Sequence, residues 1–402
     1  MSILNCLYAF GEGIGFAVNL NCAGYRGHMM NKKISLFLPN LTGGGAERIS
    51  VNLANELIKR GYSVDMVLLT AEGPCLALLN SEVRVINFKI KHAREGLLPL
   101  VRYFREAKPH SMIACMWPLT VLAVAASKFP GVSTRIVVAE HNTWSRSQAD
   151  YSPLLRQIIR TTMYLFFPGS QGIVAVSNGA ADDLANFAGI KRKSITMIYN
   201  PVSNPQTLDV HEDKDSKLTS WKTAEFRILN VGSLKTQKNQ ELLLRAFSIL
   251  LKRTNAHLLI LGDGHLRQKL EKIIAELGIK DNVSMPGFAD DPRFYYQHAS
   301  LFALSSDWEG LPTVLIEALE AGTPIVSTDC PSGPREILNG GQLGKLVPLG
   351  DADALASAMY ESLNSKHDKA ILKERAQCFS IGKATDQYID VLFPRDSLAA
   401  ST

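Results

Sequence analysis

Ser305-Ser306-Asp307-Trp308-Glu309-Gly310-Leu311-Pro312-Thr313-Val314-Leu315-Ile316-Glu317-Ala318 follows the apolar run Leu301–Leu304 and leads into a helical pattern. The order is strand, loop, helix. Gly310 permits an unusual turn, and Pro312 suits a helix start. The loop therefore falls at the carboxyl end of a strand, where open α/β sheets bind ligands. Free N–H groups at the helix start can hold a diphosphate. Glu317, in the early part of the helix, can accept hydrogen bonds from both hydroxyls of a ribose. Glu309, in the loop and nearer a cleft, can fix the hydroxyls of a sugar. Two glutamates eight positions apart are common by chance. The strand, Gly, Pro and helix around them make the pattern specific.

The same unit recurs along the chain. Strands are predicted over 34–38, 64–69, 83–88, 111–116, 135–140 and 172–176, with helices over 47–60, 96–107, 118–128 and 178–187. A polar, charged stretch, 203–225, breaks the rhythm and reads as a domain junction. The alternation restarts with strands over 227–231, 257–261, 283–285, 301–304, 324–327 and 344–347. Short apolar strands between helices imply parallel sheets covered on both faces. The expected class is α/β, with two Rossmann-like domains facing a cleft. Residues 1–30 are placed outside the fold, 31–203 in the N-terminal domain and 204–380 in the C-terminal domain. Residues 381–395 are expected to form a helix returning to the N-terminal domain.

The 402 residues are 46% hydrophobic and 20% charged, which excludes general disorder. No apolar run is long enough to span a membrane. Residues 1–200 carry 21 Lys+Arg against 12 Asp+Glu, a balance of +9, while residues 201–402 carry 22 against 26, a balance of −4. Anionic lipid, a phosphorylated substrate or nucleic acid could match the basic half. No stacking platform or recognition motif accompanies the charge, so nucleic acid is set aside. The six cysteines, at 6, 22, 75, 115, 330 and 378, show no metal or disulfide spacing and suit a reducing compartment.

Three further segments carry chemistry. Thr42-Gly43-Gly44-Gly45-Ala46-Glu47-Arg48 follows the first strand, and its glycines allow close approach of a ligand to the backbone. It is not G-x-G-x-x-G, and no ribose-binding acid follows at the usual distance, which disfavours dinucleotide binding. Val231-Gly232-Ser233-Leu234-Lys235-Thr236-Gln237-Lys238 follows a strand of the second half, with lysines that can offset charge on a leaving diphosphate. Val138-Ala139-Glu140-His141-Asn142 ends a strand and aims His141 at the cleft.

Together these segments resemble the retaining glycosyltransferases of the GT4 type, which have the two-domain GT-B fold, over about residues 33–393. The resemblance implies that Glu317 binds the nucleotide ribose and Glu309 the donor sugar. Gly310, Leu311 and Pro312 would approach the sugar and phosphates. Lys238 matches the family's diphosphate lysine. Ser233, after Gly232, stands where an arginine is usual, and Lys235 is the nearest replacement. Gly44 and Gly45 belong to the glycine loop, Phe288 to the loop beside the base, and His141 to a position near the reacting centre. Asn200-Pro201-Val202 matches the hinge motif, and Ser327–Ile337 resembles a variant found in enzymes that extend lipid-linked saccharides.

The expected activity is transfer of a hexose or N-acetylhexosamine from a UDP-sugar to a lipid-linked saccharide, with retention of configuration, in bacterial surface polysaccharide or glycan assembly. Catalytic roles fall to His141, Glu309 and Lys238. No metal or cofactor is expected, since Asp351-Ala352-Asp353 reads as a helix cap. The N-terminal domain would take the acceptor and the C-terminal domain the nucleotide sugar. Basic residues among apolar ones (Lys89, Lys91, Arg94, Arg102, Arg105, Arg156 and Arg160) suggest peripheral contact with anionic lipid on the inner face of the cytoplasmic membrane. The same segments also suit an ordinary helix with a basic solvent side. A nucleotide-binding scaffold without turnover and a UDP-sugar epimerase are the alternatives.

Overall fold

The computed structural model describes residues 32–42, 44–148, 151–202, 218–289 and 291–394. The predicted extension at 1–30 and most of the junction at 203–217 lie outside the described residues.

In the first domain β1 (Lys33–Leu38), β2 (Ser63–Leu68), β3 (Arg84–Asn87), β4 (Ser111–Cys115), β5 (Arg135–Glu140), β6 (Gly172–Ala175) and β7 (Ile195–Met197) form one sheet in the order β3-β2-β1-β4-β5-β6-β7. Every pairing is parallel. Helices α1 (Gly45–Lys59), α2 (Leu97–Ala107), α3 (Leu119–Ser127), α4 (Trp144–Ser147), α5 (Pro153–Phe166) and α6 (Asn178–Ala188) connect them. The central strands are apolar at nearly every position because both faces are covered. Ile34, Leu36 and Leu38 enter one core and Phe37 the other.

The second domain begins with α7 (Thr219–Thr223), inside the stretch predicted to be junction. Trp221 anchors it. The indole is fully buried, donates to the Ile228 carbonyl at 3.1 Å and meets Tyr295 edge-on. The sheet that follows holds β8 (Phe226–Val231), β9 (Ala256–Leu261), β10 (Val283–Gly287), β11 (Leu301–Leu304), β12 (Ile325–Thr328) and β13 (Lys345–Val347), in the order β10-β9-β8-β11-β12-β13. Its helices are α8 (Gln240–Leu250), α9 (Arg267–Glu276), α10 (Arg293–His298), α11 (Thr313–Ala321), α12 (Pro334–Ile337), α13 (Ala352–Leu363) and α14 (Lys369–Ala376). Asp351 caps α13, its carboxylate accepting from the Ala354 amide at 2.8 Å.

The last helix, α15 (Ile381–Leu392), lies on the first domain. Ala384, Tyr388 and Leu392 join the core of β1 and β2, Phe393 stacks on Tyr62, and Arg60 pairs with Asp386 at 2.5 Å. Strand order reverses between β1 and β4 in one sheet and between β8 and β11 in the other. Loops leaving those strands splay apart at the carboxyl edge and leave a crevice.

Candidate active site

Two loops of the second domain flank its crevice. One follows β8 and carries Gly232–Lys238; the other follows β11 and carries Ser305–Pro312. They are zipped together. The Asp307 amide donates to the Gln237 carbonyl at 2.9 Å, and Ser305 Oγ donates to the Lys238 carbonyl at 2.9 Å. Asn239, in a left-handed conformation, caps α8 and donates to Asp307 at 2.9 Å. Close packing requires glycine at two nearby places. A Cβ on Gly262 would meet the Gly232 carbonyl at 2.1 Å, and one on Gly264 the Leu234 carbonyl at 2.4 Å.

Glu309 is buried at the centre. Its carboxylate accepts from Lys238 Nζ at 2.7 Å, Ser306 Oγ at 2.6 Å and Gln237 Nε2 at 3.3 Å. Lys238 is therefore not an isolated cation: its charge is shared with Glu309, in a pocket where both side chains are mostly shielded. Glu317, on α11, is half-buried and makes no ion pair among the described residues. Burial raises its carboxyl, and the neighbouring Tyr296 hydroxyl and then Arg48 pull it back. Pro312 is the cap residue of α11 rather than its first helical residue, Leu311 is buried, and Gly310 faces the other domain. Ser233, Lys235 and Phe288 are exposed beside the crevice. Gly44 caps α1 and Gly45 opens it, both exposed after β1, while Gly43 lies outside the described residues.

His141 comes from the first domain, directly after β5. Both of its ring nitrogens are shielded from solvent and unpaired within the described residues. Burial pushes the imidazole down to about 4, with Asn200 opposing, so at neutral pH the ring is uncharged and can give and take one hydrogen bond. The preceding Glu140 accepts from Thr120 and from Trp144, each at 3.2 Å, and burial pushes it up to about 8.

The domains touch at this point. A Cβ on Gly310 would lie 2.0 Å from the His141 carbonyl oxygen. Thr143 Oγ1 donates to the Glu309 carbonyl, and Ser177 Oγ (2.8 Å) and Ser332 Oγ (2.9 Å) both donate to the Gly310 carbonyl. Glu336 of α12 caps the start of α6, accepting from the Asn178 and Gly179 amides at 3.0 Å each. Sequence reading missed Thr143, Ser177, Ser332 and Glu336 as a group. Ser177 carries a helix-cap signature, but nothing local says which carbonyl lies opposite. Among the described residues no three His, Cys, Asp or Glu side chains gather closely enough to hold a metal ion.

Two Rossmann-like domains facing a crevice, with the Lys238–Glu309 pair at the carboxyl edge of the second sheet, are the GT-B arrangement. The chain matches a Glycosyltransferase Family 4 model over residues 43–204 and a Glycosyl transferases group 1 model over residues 211–379, and it belongs to that family of enzymes. It is 27% identical over 376 residues, 90% of this chain and 98% of the relative, to the Campylobacter jejuni GalNAc-alpha-(1->4)-GalNAc-alpha-(1->3)-diNAcBac-PP-undecaprenol alpha-1,4-N-acetyl-D-galactosaminyltransferase. It is also 27% identical over 357 residues to the lipopolysaccharide core biosynthesis glycosyltransferase LpsE of Rhizobium meliloti, covering 87% of this chain and 96% of that one. In fold it resembles Anabaena Alr3699/HepE, solved with UDP and glucose, at a TM-score of 0.75 and 20% identity over 92% of this chain and all of the other.

Proposed function

We propose that the enzyme transfers a hexose or N-acetylhexosamine from a UDP-sugar to a polyprenyl-diphosphate-linked saccharide, with retention of configuration and without a catalytic metal. The observation that carries this reading is the seam. Glu309, paired with Lys238, and Gly310 of one domain meet the His141–Thr143 segment of the other at the carboxyl edges of both sheets, and Glu317 lies on the helix that follows. Glu317 would hold the ribose and Phe288 the base. Backbone groups of Gly232, Ser233, Gly310, Leu311 and Pro312 would lie along the phosphates and sugar, with Gly44 and Gly45 closing from opposite. Lys238 and the α11 dipole would stabilise the departing diphosphate. Glu309 and His141 would orient the sugar. The relatives named for lipid-linked and lipopolysaccharide work support the acceptor class, and the UDP bound to the fold neighbour supports the base.

The first domain offers a matching acceptor surface. Helix α5 buries Ile159 and Met163 but exposes Leu154, Ile158, Tyr164 and Leu165, so it is not simply a core-facing helix. A cavity of about 470 Å³ beside it is lined by Ser145, Pro153, Arg156, Gln157 and Arg160 and, from α6, by Asp183, Asn186 and Phe187, so two guanidiniums share it with one carboxylate. Neither arginine is ion-paired among the described residues. An acceptor diphosphate suits those two guanidiniums, and the apolar residues suit an anionic bilayer on its cytoplasmic face. No helix of the described residues is long and apolar enough to cross a membrane.

Incubation with radiolabelled UDP-hexoses and UDP-N-acetylhexosamines plus a bacterial lipid extract tests the reaction. Label in the lipid phase is expected. Binding without turnover would leave a scaffold, and isomerised sugar an epimerase. Co-sedimentation with phosphatidylglycerol vesicles should fall in R156E/R160E; unchanged binding would remove this face from the membrane.

A further inference from the structure

Arg267 is the first residue of α9, and its side chain reaches the carboxyl ends of β9 and β10. Its Nη1 donates to the Met285 carbonyl at 3.1 Å, its Nη2 to the Gly262 carbonyl at 3.4 Å and its Nε to Asp263 at 3.0 Å. The two carbonyls come from different segments: Gly262 follows β9, and Met285 lies in β10. The pairing of β10 is irregular at that point. Ser284 pairs with Leu259 and Gly287 with Leu261, so Met285 and Pro286 together oppose Ile260. A bulge of this kind disrupts the ladder and re-aims the residues beyond it. Arg267 takes up the Met285 carbonyl, and the Gly262 amide closes the next step by donating to the Gly287 carbonyl at 2.8 Å. Gly287, at a φ of 111°, then turns the chain out of the sheet, and Phe288 stands 66% exposed.

The carboxylate partners do not explain the arginine. Asp263 and Glu271 are exposed, and ion pairs of that kind stabilise little. A lysine would serve them equally, whereas the fixed fork of a guanidinium holds two carbonyls at a set separation.

Resting on the donor reading above, in which Phe288 meets the base, we propose that Arg267 is a positioning residue for the nucleobase. It bolts the β10 bulge to the turn after β9 and so holds the Phe288 ring where a base can stack on it. Arg267 acts through Phe288 and makes no contact with the nucleotide itself.

Calorimetry on the full chain tests this with whichever of UDP, ADP and GDP the wild type binds most tightly. R267A and F288A should each weaken that nucleotide about tenfold, and R267A/F288A should be within about twofold of the weaker single variant, because both changes remove one contact. In the label-transfer assay R267A should raise the donor KM by a similar factor and leave kcat within about twofold, since the base is remote from the reacting bond. Circular dichroism checks that each variant is folded; R267K, which keeps the charge but not the fork, replaces R267A if that variant is not, with a smaller loss expected. An Arg267 variant that binds like the wild type, losses that multiply in the double variant, or an F288A that binds like the wild type overturns the proposal. So does a fall in kcat at unchanged KM. A wild-type chain that binds none of the three nucleotides overturns the donor reading itself, and this inference with it.

Discussion

Gly310→Ala should disable catalysis by moving the domains apart. The new methyl carbon would lie 2.0 Å from the His141 carbonyl oxygen, 3.0 Å from its carbon and 3.4 Å from Val176 Cγ2. A tolerable C···O approach is about 3.3 Å, so the seam must open by roughly 1.3 Å. Backbone stands on both sides, so no side-chain rotation relieves the clash. The 2.8 Å bond from Ser177 to the Gly310 carbonyl would stretch to about 4 Å and be lost. A misplacement near 1 Å can cost about 100-fold in rate. Turnover, followed as label transferred from UDP-sugar to lipid, should fall by about that factor. UDP affinity should fall by less than turnover does, because Glu317 and Lys238 stay in place within the second domain. Each sheet and its helices lie within one domain, so the far-UV spectrum should be unchanged. A G310A enzyme with wild-type kcat would refute the claim that this contact sets the catalytic geometry.

Glu309→Ala should abolish transfer and destabilise by about 3–5 kcal/mol, because Lys238 is left buried without its partner; Glu309→Gln should be nearly as inactive but clearly more stable in urea titrations, and full activity in either would remove Glu309 from the site. Glu336→Ala uncaps α6 at the seam, and small-angle scattering should show a wider molecule; unchanged dimensions would show that this contact does not hold the domains. Trp221→Ala should cost about 3–5 kcal/mol, read as a shift of the denaturation midpoint, since α7 has no other large anchor. Glu140 has a folded-state value near 8, above that of an unfolded carboxyl. Its contribution to stability is therefore complete below the unfolded value and is lost as pH rises through 8. Between pH 5.5 and 8.5 the wild type should lose a few kcal/mol that Glu140→Gln does not lose; parallel pH curves for the two would show that Glu140 is not buried neutral.

Much of the architecture was legible because both domains are parallel sheets buried on both faces. Such strands read as apolar runs, and their glycine turns punctuate them. The elements that escaped have local reasons. Strand β7 has three residues, too few to show a period, and α7 is a single turn hidden in a polar stretch, held by one indole. The basic and apolar residues of 154–167 suited a lipid-facing surface or an ordinary core-facing helix, and in the structure only two residues of α5 are buried. A helical stripe alone does not reveal whether protein or something else covers it.

By itself, the sequence determined two α/β domains, the strand-end positions of Glu309, Lys238 and His141, and the helical setting of Glu317, since each depends on residues close in the chain. Tertiary structure decided their partners. Lys238 and Glu309 are 71 residues apart and meet because β8 and β11 are neighbours in the sheet, an order no local pattern encodes. Thr143 reaches Glu309, and Gly310 rests on His141, across 166 and 169 positions, only because two separately folded domains dock at that seam. Contacts of that range are set by shape and close packing, which exist only after the chain has folded.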